Sequence, residues 1–388
     1  MKFVRKNENT DRYVDNIFSV SQAAKADKEG INATAGCLYD EEGKLYTYKC
    51  VFDSEKEISA AQKAAYAASP AGNPDYIDLV SDFILESRVK NHHVAMATAG
   101  GTGGIYTAIA TCLEQGDHII YPAISWGNYK VIADENGLIP LTYDVYDLDD
   151  LFEKIDSVKE KVFLIVNSPC ENPLGHAYTF EQWEKIIGKL NSLDKEVILL
   201  CDIAYIDYAN GDPKAYFRLF DKINDNVLVL LAASCSKAFS YYGQRLGALI
   251  AINNDAEFLD HYLNLCSRCA RATWSNLNNA GMVNVARVLK EHREEYFAEL
   301  QAAKEMLKKR TALFVRQARE CGLELYESAD GFFVTIRMKD NASRDAFHQR
   351  LLNARIYTIK VNKGIRVALC SVPYRIVDGL AGKIKELY

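Results

Sequence analysis

The sequence predicts an α/β protein, with a mainly parallel sheet in a large domain and a smaller α+β domain after it. Three observations carry the prediction. Between about residues 93 and 252, short apolar runs alternate with amphipathic stretches. The runs are of strand length and several are rich in Val and Ile, as in parallel strands buried on both faces. From residue 278 the character changes to a long charged stretch, and 388 residues exceed what one compact core usually holds.

The elements follow in order. The first forty or so residues show no strand and helix alternation, so residues 1–45 are expected to cover a subunit surface or join the small domain. A glycine-rich segment, Ala99 to Gly104, precedes a helical stretch at 105–113. The apolar runs 118–121, 162–167, 197–201, 227–233 and 246–252 read as sheet strands. Ahead of the third, Thr179-Phe180-Glu181-Gln182 is a capping-box signature that opens an amphipathic helix. Residues 278–321 have apolar residues at helical spacing and read as one long connecting helix, with Gly322 as its stop. Strand-like runs at 331–336 and 365–369 flank a helical segment at 343–354. The large domain is expected to span 46–295 and the small one 296–388.

Composition excludes several function classes. Hydrophobic residues make up 49% and charged residues 25%, which supports a large core, and 46 basic against 52 acidic side chains give a net charge of −6. That charge offers no general attraction for nucleic acid. The start, MKFVRKNENTDRY, has no apolar segment after its basic residues, and no run approaches the roughly 18 residues of a membrane span. A cytoplasmic location with no membrane partner is expected. The ten cysteines are scattered, many in apolar runs where a reduced thiol packs as a small hydrophobe. Cys266-Ser267-Arg268-Cys269 is a lone CxxC with no second pair or clustered histidine, so no metal is expected.

Chemistry concentrates on Lys237. It follows the almost wholly apolar run 227–233, and a lysine at the carboxyl end of a buried strand is costly unless its amine is desolvated for a purpose, such as a Schiff base with a carbonyl cofactor. Ser234 and Ser236 precede it and Arg245 follows eight residues later, which suits a phosphorylated partner. That combination points to pyridoxal phosphate. Small residues at Gly100, Gly101 and Thr102 let backbone N–H groups approach a phosphate at a helix N-terminus, although a plain glycine-rich turn would look the same. Asp202 ends another apolar run and faces the usual ligand crevice of an open sheet, where it would keep a pyridine nitrogen protonated; a helix cap is the alternative. Tyr205 and Asn172 could hydrogen-bond the cofactor's phenolate oxygen. Trp126 could stack on the ring or serve the core. Arg366 stands in an apolar strand, where a substrate α-carboxylate or a structural ion pair would explain it.

Taken together, INATAG around Gly36, TAGGTGG, AISWGN, NSPCENPLG, CDIAY, SCSKAFSYYGQRLG, ATWSN and GIRVAL resemble, in this order, the class I aminotransferases of pyridoxal-phosphate fold type I. The likeness covers most of the chain and is nearest to the aspartate and aromatic amino-acid enzymes. It implies a large domain with a mainly parallel seven-stranded sheet flanked by helices. It also implies roles: Lys237 as Schiff-base lysine and proton shuttle, Asp202 on the ring nitrogen, Asn172 and Tyr205 on the phenolate oxygen, and Trp126 stacked on the ring. Gly100, Gly101, Thr102, Ser234, Ser236 and Arg245 would hold the phosphate, and Gly36 and Arg366 would meet the substrate. Tyr66 would reach the cofactor of a second subunit, so a homodimer is implied. Arg271 falls where dicarboxylate-specific members bind the distal carboxylate, with Arg268 a competing candidate. The implied reaction is ping-pong transfer of an amino group from an L-amino acid, aspartate favoured and aromatic donors possible, to 2-oxoglutarate. A carbon–sulfur β-lyase and a non-catalytic regulatory module of the same fold are the alternatives. Leu174 in place of the usual Thr, and a loose Tyr242-Gly243-Gln244-Arg245, depart from the family pattern.

Overall fold

The computed structural model describes residues 16–327 and 330–388; the basic start of the chain lies outside the described residues. Ile31–Asn32 forms a short strand, β1. The main sheet is built from His92–Thr98 (β2), His118–Pro122 (β3), Ile139–Tyr143 (β4), Lys161–Asn167 (β5), Glu196–Asp202 (β6), Val227–Ser234 (β7) and Gly247–Asn253 (β8). Phe333–Arg337 (β9), Ile356–Tyr357 (β10), Ile359–Val361 (β11) and Gly364–Ala368 (β12) follow.

The seven strands run in the order β2-β8-β7-β6-β5-β3-β4. β4, β3, β5, β6 and β7 pair in parallel, whereas β8 is antiparallel to both β7 and β2. The run at 246–252 is therefore a strand, but not the parallel one expected, because composition reports burial and carries no direction. Helices cover both faces, and two apolar clusters fill the layers. One contains Trp183, Phe217 and Met282, the other Tyr129, Phe163 and Tyr262. The capping box forms as expected, with the Thr179 side chain accepting from Gln182 N and the Gln182 side chain accepting from Thr179 N.

β9, β11 and β12 make a separate antiparallel sheet, and β1 pairs in parallel with β10. Ala33, just after β1, belongs to the apolar cluster of that C-terminal region. The stretch expected to be one helix is two, Asn279–Glu291 and Arg293–Glu320, which meet at His292 with φ −126. The helix after β2 begins at Gly100, not residue 105, so the glycines form its first turn.

Register decides where chemistry can gather. Asn167 lies opposite Asp202, Asp202 opposite Ala232, and Gly247 opposite both Ser234 and Thr98. The carboxyl ends of β2, β7, β6 and β5 thus share one rim with the start of β8. At Gly247 a Cβ atom would sit 2.4 Å from Ala233 O and 2.8 Å from the Gly100 carbonyl carbon. Only glycine allows that close approach.

Candidate active site

Three charged side chains meet at the rim without counter-ions. Lys237 is half-buried, Asp202 is 5% exposed and Arg366 is 4% exposed. Among the described residues none of the three forms an ion pair closer than 4 Å. Lys237 lies in the short helix Cys235–Ala238 that follows β7, and its Nζ donates to Gly36 O at 2.8 Å. It stands 5.5 Å from the Tyr205 ring and 4.8 Å from the Tyr242 ring. Burial lowers its pKa from the usual lysine value, more than the nearby Cys37 and Cys370 raise it.

Asp202 closes β6. Tyr129 donates to Oδ2 at 2.6 Å and Ala204 N donates to Oδ1 at 3.1 Å. Burial raises the acid's pKa, and these two donors together with Lys237 offset part of the rise. No helix starts at Asp202, so the capping alternative falls away. Asn167 ties the strand ends together: its side chain donates to Asp202 O at 2.8 Å and accepts from Asn172 N at 2.8 Å.

Arg366, in the middle of β12, donates from Nη1 to Asn172 Oδ1 at 3.1 Å and from Nη2 to Thr34 O at 2.7 Å. The Phe333 ring lies 4.4 Å from its guanidinium carbon. Its Nε is buried and has no acceptor. An unpaired guanidinium donor in the interior is costly, so the site suits an anion that brings its own oxygens.

Beside Lys237, the helix Gly100–Cys112 presents its first turn without a side-chain cap. A Cβ on Gly100, whose φ is +70, would meet Arg245 Nη2 at 2.5 Å, and one on Gly101 would lie 3.4 Å from the Ser234 Cβ. Arg245 Nη1 donates to Ser236 Oγ at 3.0 Å. Gly100, Gly101, Ser234, Ser236 and Arg245 are thus adjacent, with Thr102 half-buried in the same turn. Arg245, Ser240 and Cys170 all hold positive φ near the site, a local strain that packing has to sustain. Trp126 is half-buried and meets Tyr129 edge-on at 5.5 Å, which links it to Asp202.

Two expected residues have no described contact with this group. Tyr66 is 87% exposed, and Arg271, also exposed, donates only to Ser275. Arg268 is exposed on the same helix, Ala256–Thr273. Conversely, the sequence assigned no role to Thr34, Tyr129 or Asn167, and read Tyr242 only as part of a departure from the family pattern. Asn167 opens the NSPCENPLG stretch and Tyr129 directly follows AISWGN, so attention to the polar residues in and beside those segments would have found both. All ten cysteines are free, and among the described residues no group of His, Cys, Asp or Glu is arranged to hold a metal ion. No described helix is long and apolar enough to cross a membrane.

Comparison with known proteins identifies the family. An aspartate aminotransferase of Haemophilus influenzae is 28% identical over 329 residues, covering 80% of this chain and 82% of that protein. A tyrosine aminotransferase of Rhizobium meliloti is 24% identical over 70% of this chain and 72% of its own length. The crystal structure of an aminotransferase from Anaerococcus prevotii superposes with a TM-score of 0.93 at 29% identity, covering 100% of this chain and 99% of that one. The family profile described as aminotransferase class I and II matches residues 28–384, and with the rim built as above, the chain belongs to that family.

Proposed function

We propose that this aminotransferase depends on pyridoxal phosphate and moves the amino group of an L-amino acid to 2-oxoglutarate in a ping-pong cycle, with aspartate the favoured donor and aromatic amino acids further candidates. The observation that carries the reading is the convergence of Lys237, Asp202 and Arg366 on one rim with no ion pair among them. Three buried or half-buried charges are costly together unless ligands complete them.

The residues present fit the cofactor. Lys237 would hold its aldehyde carbon, Asp202 its ring nitrogen, and Asn172 and Tyr205 its phenolate oxygen. Gly100, Gly101, Thr102, Ser234, Ser236 and Arg245 would hold its phosphate, and Trp126 would cover the ring. Once bound, the group supplies an electron sink for charge developing at the substrate Cα.

The chain's own groups do the rest. Arg366 grips the α-carboxylate, with Asn172 and Thr34 fixing the guanidinium plane, and so orients the Cα–H bond. Burial lets the Lys237 amine lose its proton more readily, so more of it is present as the free amine that can take the Cα proton. Tyr129 and the Ala204 N–H favour the ionised form of Asp202. The exposure of Tyr66 and Arg271 supports a homodimer in which each reaches a neighbouring subunit's site. The ten free thiols support a cytoplasmic setting.

A panel of amino-acid donors with 2-oxoglutarate and oxaloacetate tests this. Parallel double-reciprocal lines are expected, with dicarboxylate rates falling selectively in Arg271→Ala. Release of an oxo acid without any acceptor would identify a lyase instead.

A further inference from the structure

The turn that carries Asn172 also contains an acid for which the chemistry above has no use. Glu171 is 0% exposed, and neither carboxyl oxygen has a hydrogen-bond partner. Its backbone is pinned, since Glu171 N donates to His176 O at 3.1 Å and Gly175 N donates to Glu171 O at 2.7 Å. The side chain is thereby committed to the interior. Two further polar atoms there, His176 Nε2 and the Tyr178 hydroxyl oxygen, are also buried without partners. The His176 ring meets Tyr178 at 4.7 Å and Tyr146 at 5.1 Å.

The surroundings offer a carboxylate almost nothing. Asp144, which precedes the helix Leu148–Ser157, adds a second negative charge, and Tyr129, Tyr143, Tyr146 and Tyr178 face the acid from neighbouring elements. The Leu174 N–H lies near the carboxyl without making a hydrogen bond of ordinary geometry, and offsets only part of this. Among the described residues no lysine or arginine pairs with Glu171, and Arg337 acts on Tyr146 instead. A buried carboxyl with no cation beside it favours its neutral form, and burial pushes its pKa well above the usual carboxylate value, as it also holds His176 down to about 4.

The turn leads straight to the substrate grip. Asn172, the next residue, accepts from Arg366, and the carbonyl of Pro173 accepts from Thr335 at 2.7 Å. We propose that Glu171 is a positioning residue: with its proton on, it keeps the turn at 170–175 closed and Asn172 against Arg366, and loss of that proton loosens the turn and weakens substrate-carboxylate binding. The inference rests on the reading of Arg366 as the carboxylate grip.

The test follows kcat and KM of the holoenzyme for its best amino-acid donor across the neutral and alkaline range, in wild type and Glu171→Gln. Wild-type KM should climb on the alkaline side, roughly tenfold per pH unit once Glu171 ionises, with kcat changing less. Glu171→Gln, which cannot ionise, should keep KM flat over the same range. An identical alkaline climb in the variant overturns the proposal.

Infrared spectroscopy of the wild type supplies a readout that needs no variant. A protonated-carboxyl stretch should be present at neutral pH and fade where KM climbs, and a spectrum without it also overturns the proposal. Arg366→Met separates the two layers. A wild-type KM in that variant would sink the reading of Arg366 itself, whereas a raised KM there with an unaltered pH profile in Glu171→Gln sinks only the role of Glu171.

Discussion

Arg310, in the long helix Arg293–Glu320, and Arg366, in β12, are both buried, yet their surroundings treat the charge in opposite ways. Arg310 donates from Nε and Nη2 to Glu41 Oε1 at 3.0 and 2.7 Å, and from Nη1 to Tyr39 O and Cys370 O. Its charge has a counter-ion and each guanidinium nitrogen has an acceptor. Arg366 has two neutral acceptors, an aromatic face, an orphaned Nε and no ion pair. A satisfied buried charge holds the fold together, and an unsatisfied one is kept for a visitor.

The sharpest test of that contrast starts with Lys237, the other rim cation without a counter-ion. Lys237→Ala should cut turnover by about a thousandfold or more and abolish the absorbance of the lysine Schiff base, with the far-UV circular dichroism unchanged. A yellow, active variant would end the assignment. Next comes a matched pair. Arg366→Met should lower kcat/KM by about a hundredfold and leave Tm nearly unchanged, because it removes a charge that nothing in the chain compensates. Arg310→Met should do the reverse, with stability falling by about 3 kcal/mol in urea melts and KM staying put. Equal losses of Tm in both would erase the distinction. The smallest effect belongs to Tyr129→Phe, which removes one of two donors to Asp202. A loss of about 1 kcal/mol, read as a several-fold fall in kcat, is expected, and an unchanged kcat would take Tyr129 out of the site.

Much of this contrast was legible in the chain. A charged residue inside or just after an apolar run is conspicuous, which is why Lys237, Asp202 and Arg366 stood out. The two strands that the apolar pattern missed, β2 and β4, are the two edges of the sheet. β2 begins with two exposed histidines and β4 contains Pro140 and three exposed positions, since an edge strand need not be apolar along its length. The antiparallel sense of β8 left no trace in composition. The break at His292 was hidden because charged residues continue on both sides of it. Glu171 looked like any loop acid, because burial of a turn side chain depends on what packs over it from Tyr143, Tyr146 and Tyr178. The satisfied state of Arg310 was equally invisible, as its partner Glu41 lies 269 residues away.

The segment after β1 supplies the carbonyls that hold Lys237 and Arg366, from Gly36 across 201 residues and from Thr34 across 332. During synthesis this stretch emerges long before β10 and β12, against which it is secured. The pocket therefore cannot close on a growing chain. Contacts this distant in sequence make late assembly slow, and a chain halted before residue 356 would carry the lysine and the acid in a folded sheet while having no means of recognising a substrate.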